Sequence, residues 1–240
     1  TIPLKNFMPK LPNGVVGGKT ASQKLNEIFY GALRYEDFRK FPKKFAAVAT
    51  DLESGEGVMI DKGSIATAIR ESLSIPSVFA PIRDGERLYV DGGIVRNLPV
   101  QDVKVLGADY TIGVNVGDGF TKRDESKMNL IDVITDTTTI AGRQEVERQI
   151  RMLDLYMKPD LTKFESYDFS KVKELIAAGE AVARANIDEI RKLSNPELYE
   201  KLEEKRREFR QTWKDEYNIT GVVIEGNKKY TRAYFNKFFP

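Results

Sequence analysis

The stretch that most constrains this chain is Leu88–Val100, which reads Leu-Tyr-Val-Asp-Gly-Gly-Ile-Val-Arg-Asn-Leu-Pro-Val. A strand-like run from Arg87 to Val90 ends in Asp91, two glycines follow, and a polar turn leads towards helix. An acid at the end of a buried strand, beside backbone with no side chains, is where an α/β enzyme tends to keep a working carboxylate. The same residues also read as a plain turn, because Asp-Gly is a common hairpin dipeptide and Asp caps many loops. The flanking sequence has to separate these two readings.

With 240 residues the chain has room for one large domain, or a domain and a smaller piece. Its net charge is +2, from 38 basic and 36 acidic residues, which gives no argument for nucleic acid or an acidic partner. No run approaches the length of apolar sequence that a membrane-spanning helix needs. The start, Thr1-Ile2-Pro3-Leu4, is neither a signal peptide nor an initiating methionine, and reads as a cut into a longer protein. Two absences bear on the chemistry. With no Cys there is no thiol catalysis, thiolate metal site or disulfide, and with no His there is no Ser-His-Asp triad within these residues. Acid–base work falls to Asp, Glu, Lys or Tyr. No cofactor is expected, and no Asp-x-Asp-x-Asp-Gly calcium loop occurs.

Taken in order, residues 1 to 19 are an irregular lead-in rich in Pro and Gly. Gly17-Gly18-Lys19 lacks the spacing of a phosphate loop and reads as the entry to a helix. Leu25, Ile28, Phe29, Ala32 and Leu33 predict an amphipathic helix over Ser22–Leu33, and a short helical turn follows at Tyr35–Phe38. Phe45–Leu52 reads as a strand buried on both faces, and Gly57–Asp61 as its return. Ser64–Leu73 is a short helix with a Gly63-Ser64 cap, ended by Pro76. After Pro99 come a helix over Val100–Leu106, a buried strand over Tyr110–Val116 and a long helix over Asn129–Met152. A last strand, Leu155–Pro159, precedes a helix over Ser170–Leu193 with Ser170 as its N-cap. The rhythm of strand, short helix and strand is that of an α/β sheet.

Pro196–Tyr217 carries few apolar positions among dense Glu, Lys and Arg, and predicts a solvated, salt-bridged helix connecting two bodies. Beyond it, Ile219–Asn227 reads as a strand and Lys228–Phe239 as the start of an aromatic helix. One strand and one helix cannot bury a core, so the second domain is expected to be incomplete here. The division is therefore 1–195, a linker helix over 196–217, and the opening of a second domain over 218–240.

Residues 43 to 116 resemble the C-terminal half of a patatin-like phospholipase domain. The likeness is carried by Ala49-Thr50-Asp51-Leu52 with Gly55-Glu56, by Ala68–Pro76, by Phe79-Ala80-Pro81, and above all by Asp91-Gly92-Gly93 with Asn97-Leu98-Pro99-Val100. A softer pattern extends from about Pro12 to Ala185. The resemblance implies a three-layer sheet flanked by helices, present here in part, and a serine lipid acyl hydrolase with a Ser-Asp dyad. Asp91 would be the dyad acid, taking the serine proton and returning it to the leaving alcohol. Gly92 and Gly93 would leave room beside the ester of the substrate, while Asn97 and Pro99 would shape the turn.

The chain departs from that pattern in one respect: it holds no G-x-S-x-G and no glycine-rich oxyanion loop. Ser72 and Ser74 precede Pro76 but lie in no strand-to-helix elbow, so they read as structural. The nucleophile is expected on a missing N-terminal half, with this chain inactive alone and a phospholipid or other lipid ester as substrate. The alternative is a non-catalytic binding or scaffold module with the same sheet. The charged helix running into Val222–Asn227 and Tyr234-Phe235 further resembles the start of a POTRA domain. That implies the fused patatin–POTRA–β-barrel proteins of the type V autotransporter kind, at the bacterial surface or outer membrane, with a cytoplasmic protein as the alternative. Leu4, Phe7, Met8 and Leu11 read as core or as an apolar lip towards a bilayer. Oligomeric state, head-group preference and acyl-chain preference leave no mark on the sequence.

Overall fold

The computed structural model describes residues 18–76, 78–117, 142, 144–164, 169–213, 231 and 234, and the backbone pairing of two short strands near the start, β1 (Leu4–Lys5) and β2 (Met8–Pro9). The lip or core residues Leu4, Phe7, Met8 and Leu11, most of the long helix over 129–152 and nearly all of 214–240 lie outside the residues whose side chains are described.

The centre is a four-stranded antiparallel sheet of β3 (Ala47–Asp51), β4 (Gly57–Ile60), β5 (Ile82–Asp84) and β6 (Arg87–Asp91), in the order β4-β3-β6-β5. β3 is central, and all its residues are buried, as its apolar run predicts. Gly85 turns β5 into β6 at φ +57, a left-handed conformation that favours glycine. The register sets Ala49 opposite Asp91 and Thr50 opposite Val90, bringing the end of β6 to the middle of β3.

The helix α2 (Ile65–Ser72) packs on β3 and β6 through its buried face, which carries Ile65, Ala66 and Ala68. Ser64 caps it by accepting from the Thr67 N–H at 3.4 Å. In front of it lies α1 (Lys19–Ile28), with Gly18 at φ +69 as its N-cap. The expected helix over Ser22–Leu33 thus starts earlier and passes into a 3-10 turn at Tyr30–Ala32; Ile28, placed by periodicity on the core face, is exposed. Phe38, fully buried, anchors a core with Ala32, Ala47, Ile65 and Ala68.

Beyond β6 come α3 (Gly93–Arg96), α4 (Val100–Val105) and β7 (Ile112–Val114), followed by the helical residues 144–150 (α5) and β8 (Leu155–Met157). β7 and β8 pair in parallel. The strand expected to be buried over Tyr110–Val116 is shorter and only half buried: Gly113 faces inward, while Ile112 and Val114 are exposed. The helix expected over Ser170–Leu193 divides into α6 (Val172–Ala185) and α7 (Ile187–Lys192). Asn186 breaks it, its side-chain amide donating to the Val182 carbonyl at 2.8 Å. Ser170 lies in a preceding 3-10 turn, and Lys171 takes the N-cap position.

The charged helix is α8 (Pro196–Gln211), capped by Asn195, which accepts from the Leu198 N–H at 3.0 Å. Most of its length is solvated, but its C-terminal end is anchored. The Phe209 ring lies 4.6 Å from that of Tyr35 and 5.5 Å from that of Phe41 between centroids. The Trp213 ring covers Gly31 so closely that a β-carbon there would stand 2.2 Å away. One aromatic face per turn is enough to dock a helix that is otherwise polar.

Candidate active site

Asp91 ends β6, and its backbone is fixed from two sides. The Thr50 hydroxyl of β3 donates to the Asp91 carbonyl at 2.9 Å. From the turn after α2, the Ser74 carbonyl accepts the Asp91 N–H at 3.1 Å and the Ser72 carbonyl accepts the Gly92 N–H at 3.3 Å. The carboxylate turns back on its own chain: Oδ1 accepts the Gly93 N–H at 2.7 Å. Oδ2 has no partner among the described residues. Burial pushes the Asp91 carboxyl above the ordinary aspartate value, and the Gly93 N–H pulls the other way. The result is a partly buried carboxylate with a fixed backbone, one oxygen held and one free to accept a proton.

The glycines are dictated by close approaches. A β-carbon on Gly92 would stand 2.0 Å from the Val48 carbonyl oxygen, so only glycine lets the turn pass over β3. The lack of a side chain at 92 therefore serves the sheet before any ligand. At Gly93 a β-carbon would meet the Asn97 Oδ1 at 2.8 Å and the Asp91 Oδ1 at 2.9 Å. Asn97 in turn crowds Gly117, where a β-carbon would lie 2.3 Å from its Nδ2. A β-carbon on Gly142 would reach the Gly93 carbonyl oxygen at 3.1 Å. Gly142 thus packs on the Asp91 turn, and Gly117 on Asn97 beside it.

Two arginines that sequence reasoning passed over, Arg70 buried and Arg96 half-buried, brace the same region. Arg96, at the end of α3, pairs with Asp102 of α4 at 2.6 Å and donates to the Gly57 carbonyl of β4 at 3.0 Å. Burial raises the Asp102 carboxyl while Arg96 lowers it, and Asp102 Oδ2 has no partner among the described residues. Arg70, on α2, bonds the Ser74 hydroxyl at 2.7 Å. The local signals were faint: an arginine six residues before an aspartate, and an arginine four residues before a serine.

Asp91, Gly92 and Gly93 are therefore brought together as a single turn. Ser72 and Ser74 meet it through their carbonyls; the Ser74 side chain is fully buried, and it is bonded to Arg70. Gly18 packs against the Arg70 guanidinium. A cavity of about 450 Å³ between β3 and α4, lined by Lys44, Phe45, Val48 and Asp102 among others, does not include Asp91. Among the described residues no cluster of acidic side chains could hold a metal ion. The geometry offers a carboxylate with one oxygen held and the other without a partner among the described residues. The Thr50 hydroxyl is committed to a backbone carbonyl and is not presented to the carboxylate.

Residues 7–104 match the family model of the patatin-like phospholipases, a span that contains the Asp91 turn, Arg70 and β3. An uncharacterised NTE-family protein of Mycobacterium tuberculosis is 25% identical over 206 residues, covering 76% of this chain and 34% of that protein. A second one from the same species is 42% identical over 77 residues, 32% of this chain and 21% of the relative. The lysophospholipase NTE1 of Coccidioides immitis is 23% identical over 212 residues, 78% of this chain and 14% of the relative. The chain spans about a third or less of the length of these relatives. A patatin-like phospholipase region, built on a sheet flanked by helices, is thus supported both by the family model and by NTE-family relatives.

Proposed function

We propose that the polypeptide to which these residues belong is a lipid acyl hydrolase in which Asp91 is the base of a Ser-Asp dyad. The observation that carries the reading is the Asp91 carboxylate, held by Gly93 on one oxygen, open on the other and raised by burial, in a chain without histidine. Such a group takes the proton of a serine hydroxyl as the oxygen attacks an ester carbonyl, then returns it to the departing alcohol. In the second half it accepts a proton from the water that attacks the acyl-serine carbonyl and returns it to the departing serine oxygen, releasing the carboxylic acid and restoring the hydroxyl. The serine comes from a G-x-S-x-G segment outside these residues, so the 240-residue chain alone turns nothing over. A lysophospholipase among the relatives supports a phospholipid-derived ester as substrate.

The reading extends to the tail. The charged helix over 196–217 leads into a POTRA-like beginning, and the intact protein stands at the bacterial surface or outer membrane. The strand-then-aromatic-helix pattern of Ile219–Phe239 supports this.

The test uses the intact polypeptide that carries both this chain and the serine segment. Wild type is expected to hydrolyse a short-chain p-nitrophenyl ester and a lysophospholipid, and Asp91→Asn to lose at least 10³-fold in kcat while keeping its circular dichroism spectrum. Undiminished turnover by Asp91→Asn removes Asp91 as the base. A wild type inert on every ester favours the non-catalytic binding module.

A further inference from the structure

Arg70 is 2% exposed, and its charge has no carboxylate partner among the described residues. One face of the guanidinium lies 4.5 Å from the centre of the Phe79 ring, and Gly18 is packed so tightly against it that a β-carbon there would overlap Nη2 at 2.0 Å. Nε and Nη2 have no partner among the described residues. Nη1 donates to the Ser74 Oγ at 2.7 Å, its one side-chain bond among the described residues, and the Ser74 hydroxyl donates back to the Arg70 carbonyl at 2.8 Å. Burying a guanidinium for a single neutral acceptor is costly, and Met or Leu would fill the same space without that cost.

What the arginine secures is the position of Ser74. The closed loop from Arg70 Nη1 to Ser74 Oγ and back to the Arg70 carbonyl locks the chain just after α2. The carbonyls of that segment, from Ser72 and Ser74, receive the N–H groups of Gly92 and Asp91. On the far side the Asp91 carbonyl accepts from the buried Thr50 hydroxyl at 2.9 Å, so the position of residue 91 is set between β3 and the segment that Arg70 and Ser74 hold.

We propose that Arg70 is a positioning residue for the dyad aspartate, acting through Ser74 to fix the backbone on which the Asp91 carboxylate is aimed. This rests on the reading of Asp91 as the base. A shift of the carboxylate by an ångström at a reacting centre costs on the order of 10²-fold in rate, with little effect on binding.

The experiment compares Arg70→Met, Ser74→Ala and the double variant in the intact polypeptide, with p-nitrophenyl butyrate as substrate and amide hydrogen exchange as a second readout. Ser74→Ala removes only the hydroxyl and keeps the carbonyl that Asp91 uses, so it decides the matter if Arg70→Met fails to fold. Expected are a fall in kcat of about 30-fold for Arg70→Met and about 10-fold for Ser74→Ala, with KM within twofold of wild type. The double variant is expected to be no slower than Arg70→Met, because both remove one link. Amide protection at Asp91 and Gly92 is expected to fall in each variant while that of β3 holds. Retained kcat and retained Asp91 protection in folded Ser74→Ala overturn the proposal, as does a rise in KM at constant kcat. If wild type hydrolyses no ester, the dyad reading fails on its own, and the exchange measurement still reports whether Arg70 and Ser74 fix residue 91.

Discussion

Gly92 lies against Val48: a β-carbon at residue 92 would stand 2.0 Å from the Val48 carbonyl oxygen and 2.6 Å from its carbonyl carbon. The strand that would have to yield, β3, is paired on both sides by β4 and β6. Gly92→Ala is therefore expected to lose about 3 kcal/mol or more in urea unfolding of the intact protein, the range of overpacking against backbone that cannot move. Gly55→Ala is the comparison, since nothing lies within 4 Å of it and only its φ of +73 is unfavourable. It is expected to cost about 1 kcal/mol. Equal losses at the two positions would contradict the close approach.

Glu71 predicts a stability that declines with pH. The side chain is 2% exposed with Oε1 unpartnered, and burial, aided by the negative charge of Asp84, pushes its carboxyl up to about 7 from an ordinary 4.5. The folded state therefore holds a proton that the unfolded chain has released between those values. Stability from this group is complete below about 4.5, is lost as pH rises towards 7, and stays lost above it. Glu71→Gln keeps the shape without the charge. It is expected to raise stability at pH 8 by about 2 kcal/mol and to leave it unchanged near pH 4. A less stable Glu71→Gln at pH 8 in urea titrations would sink the assignment.

The pair Arg96–Asp102 makes the opposite kind of prediction. Asp102 is 6% exposed, and Arg96 at 2.6 Å is its one charged partner among the described residues. Arg96→Met leaves a buried carboxylate alone and is expected to cost about 3 kcal/mol at pH 8. Without the guanidinium, burial raises the Asp102 carboxyl further, so protonation offsets part of the loss at low pH and the variant is less impaired at pH 5. Arg96→Met with Asp102→Leu is expected to recover most of the stability, because no unpaired charge remains. A double variant as unstable as the single one would show that the Arg96 bond to the Gly57 carbonyl, not the ion pair, is what counts.

The sequence makes parts of this molecule legible for local reasons. β3, β6 and α2 stand out because short apolar runs are bounded by Gly, Pro and a serine cap, and Asp91 stands out because two glycines follow an acid at a strand end. What stays hidden depends on distant partners. The antiparallel register that sets Ala49 against Asp91 has no local trace. β5, three residues with two of them charged, carries too little apolar pattern to read as a strand. Arg70 sits among residues that look like an ordinary amphipathic helix, where an arginine is expected in water; Phe79 and Gly18, nine residues after it and far before it, bury it. Nothing local marks Phe209, one of the few apolar residues of the charged helix, as its docking point, because its partners Tyr35 and Phe41 lie more than a hundred residues upstream.

The Asp91 carboxylate ties pH, activity and stability together. As the base proposed above it would work only when ionised, and burial raises its pKa above the ordinary 3.8 against the pull of the Gly93 N–H. If the intact polypeptide is the hydrolase proposed, its kcat/KM is therefore expected to fall on the acid side through a pKa above 3.8, rising with pH until Asp91 has lost its proton. The same shift means that the folded state pays for ionising this group, so its contribution to stability is lost as pH rises through the raised value. Asp91→Asn should then unfold at a higher urea concentration than wild type at neutral pH while turning over no ester. An acid limb at or below 3.8 would mark the working base as a solvated group elsewhere. A neutral-pH loss of stability in Asp91→Asn would mean that the Gly93 N–H bond to the ionised oxygen outweighs the cost of burial.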